Sequence, residues 1–235
     1  MNLILYYLFV YLIEAIILWL YCNRIFTSRK NTFLSLLITI GMFSLLIPVA
    51  ILTNAALNAF CSFIVYLCCI VLNYDSKPVW ALFHALALTI LMALSEGLIA
   101  AAIPDITIYA FRDGNIHSSA FTFVILSKSV YLCISQLVTR IFSKDTVNNA
   151  SIRKSTLMLY LIPVMSSIIT VSLGYICLNG KLSGSDSVIV FICLVLLLSI
   201  NILTFYLQQD ISQKNVEYAR LQIELQKETD TEHYY

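Results

Sequence analysis

Long apolar runs separated by short polar breaks dominate this chain, and their lengths predict helices that cross a bilayer. About 20 apolar residues, rising 1.5 Å each, span roughly 30 Å of hydrocarbon. Leu3 to Tyr21 fits one such span. From Phe33 to Leu72 the chain is apolar almost throughout, and at helical rise it reaches about 60 Å, twice that thickness. It must fold back, and Thr53-Asn54 is the polar break near its middle, giving spans Phe33–Leu52 and Ala55–Leu72. Asn73-Tyr74-Asp75-Ser76-Lys77-Pro78 reads as a loop from its turn formers and proline. Val79–Ile103 is a fourth span, and the polar stretch from Pro104 to Ser119 is the longest loop. Ala120–Ile141, Thr156–Leu178 and Ser187–Leu207 complete an all-α bundle of about seven transmembrane helices over residues 1–207. Residues 208–235 form a separate polar helix.

Composition carries the same message. Of 235 residues 60% are hydrophobic and 11% charged, with a mean hydropathy of +0.88; a soluble domain is typically about 25% charged. Lys and Arg in short loops are retained on the cytoplasmic side. With seven spans one face holds Arg24, Arg29, Lys30, Lys77, Arg140, Lys144, Arg153, Lys154, Lys214, Arg220 and Lys227, and the other only Arg112 and Lys181. The N-terminus is therefore expected outside and the C-terminus in the cytoplasm of a multi-pass cell-membrane protein. No basic start or small-residue cleavage site precedes the first run, so it is expected to remain as an anchor. A net charge of +1 gives no basis for nucleic-acid binding. The seven cysteines lack a Cys-x-x-Cys pair and read as small hydrophobes rather than metal ligands.

Ionisable groups kept in a bilayer cost about 2.5–3.5 kcal/mol each on insertion scales and need a partner or a wet cavity. Glu14, Glu96 and Lys128 are the candidates for a ligand-binding or intramembrane polar site. Glu96 and Lys128 lie at similar depth below the outer surface with opposite charge, so they are expected to pair. Such a pair can fix helix packing or line a ligand pocket. Glu14 has no basic partner evident at its depth, which predicts a water-filled cavity or a protonated state. His84 reads as a hydrogen-bonded packing residue and His117 as an exposed loop residue. Pro48 and Pro163 favour kinks inside spans two and six. Six glycines cannot assemble a phosphate-binding loop, no catalytic or metal-ligating constellation is present, and no cofactor is implied. Asn149-Ala150-Ser151 matches a glycosylation triplet, but on the expected cytoplasmic face.

After Leu207 the composition turns to Gln, Glu and Lys, that of an exposed helix. Ile211, Tyr218 and Leu225 recur every seven residues, with Leu207, Lys214 and Leu221 in the second register, a seam that would pair two copies as a parallel homodimer. The alternative is an amphipathic helix lying alone beside the membrane.

The order of these features, with the segment Asn215-Val216-Glu217-Tyr218-Ala219-Arg220-Leu221-Gln222-Ile223-Glu224-Leu225-Gln226-Lys227-Glu228 and the step His233-Tyr234-Tyr235, resembles the input half of GHKL-type sensor histidine kinases of the peptide-pheromone receptor class. That resemblance implies a sensor of an extracellular ligand, a peptide in that class, signalling through the inner helix. No His-Asp-x-x-Asn-His phospho-acceptor motif occurs, and His233 is followed by Tyr234, so the expectation is a sensor half without enzymatic activity of its own. A small multi-pass transporter or permease subunit is the alternative, with Glu14, Glu96 and Lys128 lining its pathway.

Overall fold

The computed structural model describes residues 3–52, 55–104, 118–141, 161–179 and 184–233. The predicted turn at Thr53-Asn54, most of the loop after Pro104 with His117, and the loop before Leu161 lie outside them.

Helix α1 covers Leu3–Ile25, α2 Thr32–Ser44, α3 Ile47–Ile51, α4 Ala55–Asn73, α5 Pro78–Ala102, α6 Ser118–Ile141, α7 Leu161–Asn179 and α8 Gly184–His233. Five helical segments are long and apolar enough to cross a membrane: Leu3–Ile25, Thr32–Ile51, Pro78–Ala102, Ser119–Ile141 and Ser185–Thr229. Leu57–Asn73 and Leu161–Thr170 are shorter apolar helices among the described residues. Almost all of the described residues are helical, and the chain has the character of a multi-pass membrane protein.

Local chemistry explains the boundaries. Pro78 stands in the first turn of α5, where its missing N–H costs nothing. Pro48 interrupts the second span. Its ring conflicts with the carbonyl of the residue four back, Ser44, and α2 ends at that residue, before a tight turn and α3. Pro163 is the third residue of the described part of α7.

One expectation needs correction. Both short loops at this end of the bundle contain strand: β1 (Thr27–Ser28) pairs antiparallel with β2 (Tyr74–Asp75). The Arg29 guanidinium bonds Asp75 at 3.2 Å, and Asn73, fully buried, donates to Thr39 at 3.3 Å. This two-residue ribbon ties the α1–α2 connection to the α4–α5 connection.

Helix α5 is the centre of the bundle, packing against α4, α6, α7 and α8, while α1 packs against α2 and α6. The sidedness is that of a protein dissolved in lipid. On α8 the exposed side chains include Ile189, Ile192, Leu196, Ile200 and Leu203, whereas the buried stripe carries Ser187, Asn201, Thr204, Gln208 and Ser212. Small and polar residues between helices with aliphatic residues outside are expected where the surrounding solvent is hydrocarbon.

Candidate functional site

Three helices bring the sequence-predicted ionisable residues to one place. The buried positions of α6 include Val124, Ser127, Lys128, Tyr131 and Ser135, a three-to-four-residue stripe that turns Lys128 inward. On α1 the buried stripe Tyr11, Glu14, Leu18 and Tyr21 does the same for Glu14. Lys128 Nζ lies 2.5 Å from Glu14 Oε1 and also donates to Glu96 Oε1 on α5. The side chains of Lys128 and Glu14 are 2% and 3% exposed, while that of Glu96 is 39% exposed. Lys128 is thus an ammonium shared between one sealed and one half-open carboxylate.

The predicted Glu96–Lys128 contact is present. For Glu14 the expected lack of a basic partner is corrected, because Lys128 pairs with it. Helix α6 begins at Ser118, so Lys128 and Glu14 both stand roughly 15 Å along their helices from the same side of the bundle. Counted from the predicted boundary at Ala120, Lys128 stands two residues shallower than it does from Ser118, and the reach of a four-carbon stem covers the remaining offset.

The surroundings are aromatic and hydroxylic. Tyr11 donates to Asn58 Oδ1 at 2.8 Å, Tyr131 to the Tyr66 hydroxyl at 3.4 Å, and Tyr66 to Met92 Sδ at 3.3 Å. Tyr6, Tyr11, Tyr66 and Tyr131 all lie within electrostatic range of one or both carboxylates. Nothing in the sequence pattern marks these tyrosines, which look like core aromatics. Next to Glu96, a Cβ added to Gly97 would sit 3.2 Å from Leu194 of α8, so glycine here lets α8 approach α5 beside the triad. Glu14 Oε2 is buried without a hydrogen-bond partner. Between α1 and α6 a cleft of about 190 Å³, lined by Ile13, Ile17, Leu20, Ile125 and Leu132 among others, reaches Lys128.

His84 packs rather than ligates. It is fully buried, its Nδ1 lies 2.7 Å from the Tyr21 hydroxyl, and the rings of Phe26, Trp80 and Phe83 surround it. Among the described residues no three His, Cys, Asp or Glu side chains converge on a point that could hold a metal.

The dimerisation candidates lie on the second half of α8. This helix is continuous for 50 residues, about 75 Å at helical rise and more than twice the hydrocarbon thickness. Ile211 is half-buried against the bundle, whereas Tyr218, Leu221 and Leu225 are exposed, and every residue from Glu217 to Thr229 is exposed. Lys214, also exposed, is bonded to Asp210 at 2.8 Å, which holds its ammonium above the ordinary lysine range. The helix therefore projects an apolar stripe into solvent with no intramolecular cover among the described residues. No protein-family model matches the sequence, and no curated protein and no solved structure is significantly similar to it.

Proposed function

We propose that the chain is a membrane-embedded sensor. In this reading seven spans place the N-terminus outside and the C-terminus in the cytoplasm, and residues 208–235 form a signalling helix that pairs with a second copy. The observation that carries it is the unbroken α8. A single continuous helix packs on the bundle through a polar buried stripe and runs on for more than the thickness of a membrane, so a rotation or shift within the bundle would be delivered to the exposed stripe Tyr218, Leu221 and Leu225. Ligand energy biases such a shift only through unequal affinity for two arrangements. The Glu14–Lys128–Glu96 triad, joining α1, α5 and α6 and open at Glu96, is where an extracellular ligand, a peptide in the class the sequence resembles, would act.

The buried triad and the cleft that reaches Lys128 favour a second reading, a small transporter with the triad on its pathway. Disulfide trapping of cysteines along the tail in native membranes, set beside uptake by proteoliposomes, separates the two. Seven-residue periodicity between copies without uptake supports the sensor, and uptake without periodic crosslinks supports the transporter.

A further inference from the structure

The ribbon at the end of the bundle assembles a surface that neither the triad nor the tail uses. Thr27 pairs with Asp75 and Ser28 with Tyr74 in antiparallel register, so Arg24 and Lys77 flank one end of the ribbon while Arg29 and Lys30 leave from the other. All of these side chains are exposed, and the stretch from Arg24 to Lys30 extends over no more than roughly 20 Å. The carboxylate on the ribbon, Asp75, is already bonded to Arg29 at 3.2 Å. Helix α6 runs parallel to α1, since Tyr6 meets Phe121 and Glu14 meets Lys128, and so it ends on this same side of the bundle. The sequence that follows it, residues 142–160, carries Lys144, Arg153 and Lys154 against Asp145 and is itself net positive.

Helix lengths set the depth of this surface. Helix α1 has 23 residues and α5 has 25, about 35 Å and about 38 Å at helical rise, against roughly 30 Å of hydrocarbon. A ribbon that follows α1 and precedes α5 therefore stands at the level of lipid headgroups. Just inward of it Phe33, 72% exposed, and Leu34 on α2 and Leu72 on α4 present apolar surface. The Trp19 indole donates to the Thr32 carbonyl at 3.3 Å, the boundary position that tryptophan favours between lipid and water. Cations placed directly above exposed hydrocarbon complement an amphiphile with an anionic head.

We propose that the ribbon binds the phosphodiester headgroup of an anionic phospholipid, with Arg24 and Lys30 attracting the phosphate and the acyl chains lying against Phe33, Leu34 and Leu72. A soluble phosphate would leave the apolar rim uncovered, and a zwitterionic lipid brings an ammonium of its own that opposes the attraction. Arg29 contributes less, because Asp75 shares its charge. Each basic side chain at an anionic lipid surface adds about a fivefold preference. The site requires neither the sensor nor the transporter reading. It fastens the α1–α2 and α4–α5 connections to one leaflet.

The test uses the full chain in phosphatidylcholine vesicles that contain brominated phosphatidylglycerol or, in a parallel series, brominated phosphatidylcholine. Bromine quenches tryptophan only at short range, and Trp19 reports from beside the ribbon whereas Trp80 is buried. Native protein should be quenched at a lower fraction of the anionic lipid than of the zwitterionic one. Arg24→Gln and Lys30→Gln should each lower that preference about fivefold, and Arg220→Gln on the exposed tail should leave it unchanged. Should a ribbon variant fail to fold, the native comparison of the two lipids decides alone. Equal quenching of the native chain by both lipids, an undiminished preference in the double variant, an equal loss in Arg220→Gln, or displacement of the lipid by free glycerol phosphate would overturn the proposal.

Discussion

Replacing Lys128 with Met should be the most damaging single change in the bundle. Methionine keeps much of the stem's bulk, so packing is nearly preserved and the perturbation is electrostatic. Glu14, 3% exposed, then loses its partner in hydrocarbon. Breaking a buried pair from one side costs about 3–5 kcal/mol, which lowers the folded population by roughly two to nearly four powers of ten. Glu96, 39% exposed, can recruit water, so its half of the network is screened. Glu96→Gln should therefore cost no more than about 1 kcal/mol. Glu14→Gln falls between them, because Lys128 retains Glu96. Reversible unfolding in mixed micelles measures each variant, and a double-mutant cycle isolates each pair. Joint replacement of Glu14 and Lys128 should be less harmful than Lys128→Met alone, with a larger coupling than between Glu96 and Lys128. Strict additivity, or Glu96→Gln costing as much as Lys128→Met, would refute the picture of one shared, sealed ammonium.

Other consequences can be checked separately. Cysteines placed at Arg29 and Ser151 should label only from the cytoplasm and one at Asn115 only from outside; labelling of either set from the opposite side would invert the charge-bias topology. Tyr21→Phe removes the bond to His84 Nδ1 in a fully buried cluster and should destabilise the bundle by about 1–3 kcal/mol in the same unfolding assay. Asp75→Asn, by contrast, breaks an exposed pair with Arg29 and should change stability by less than about 1 kcal/mol in that assay.

Much of the fold is legible because run length and hydropathy speak directly about lipid. Val79–Ile103 and Ala120–Ile141 lie within two residues of α5 and α6 as observed, since proline or a polar loop marks their ends. The interruption at Pro48 follows from proline chemistry. The ribbon of Thr27–Ser28 with Tyr74–Asp75 was not legible, because two residues are too few to show an alternating pattern. At the site, depth and opposite charge pointed to Glu96 with Lys128. The Glu14–Lys128 contact is not legible, because helix α6 is described from Ser118, two residues before the span boundary that the apolar run marks at Ala120. The polar stripe of α8 through Asn201, Thr204 and Gln208 escaped notice as well, since isolated polar residues in an apolar run do not reveal which face they share until the neighbours are known. Asn201 in fact donates to Ser166 of α7 at 2.6 Å.

The central claim is that α8 carries the state of the bundle to a paired cytoplasmic tail. The most direct measurement is a disulfide-crosslinking scan with single cysteines from Ile211 to Glu228 in native membranes, on the otherwise native chain and on one carrying Glu96→Gln. Crosslinks between copies should peak at Ile211, Tyr218 and Leu225, stay low at Gln213 and Gln222, and shift in relative yield when the triad is altered. Uniform yields without seven-residue periodicity, unchanged by the triad substitution, would contradict the claim.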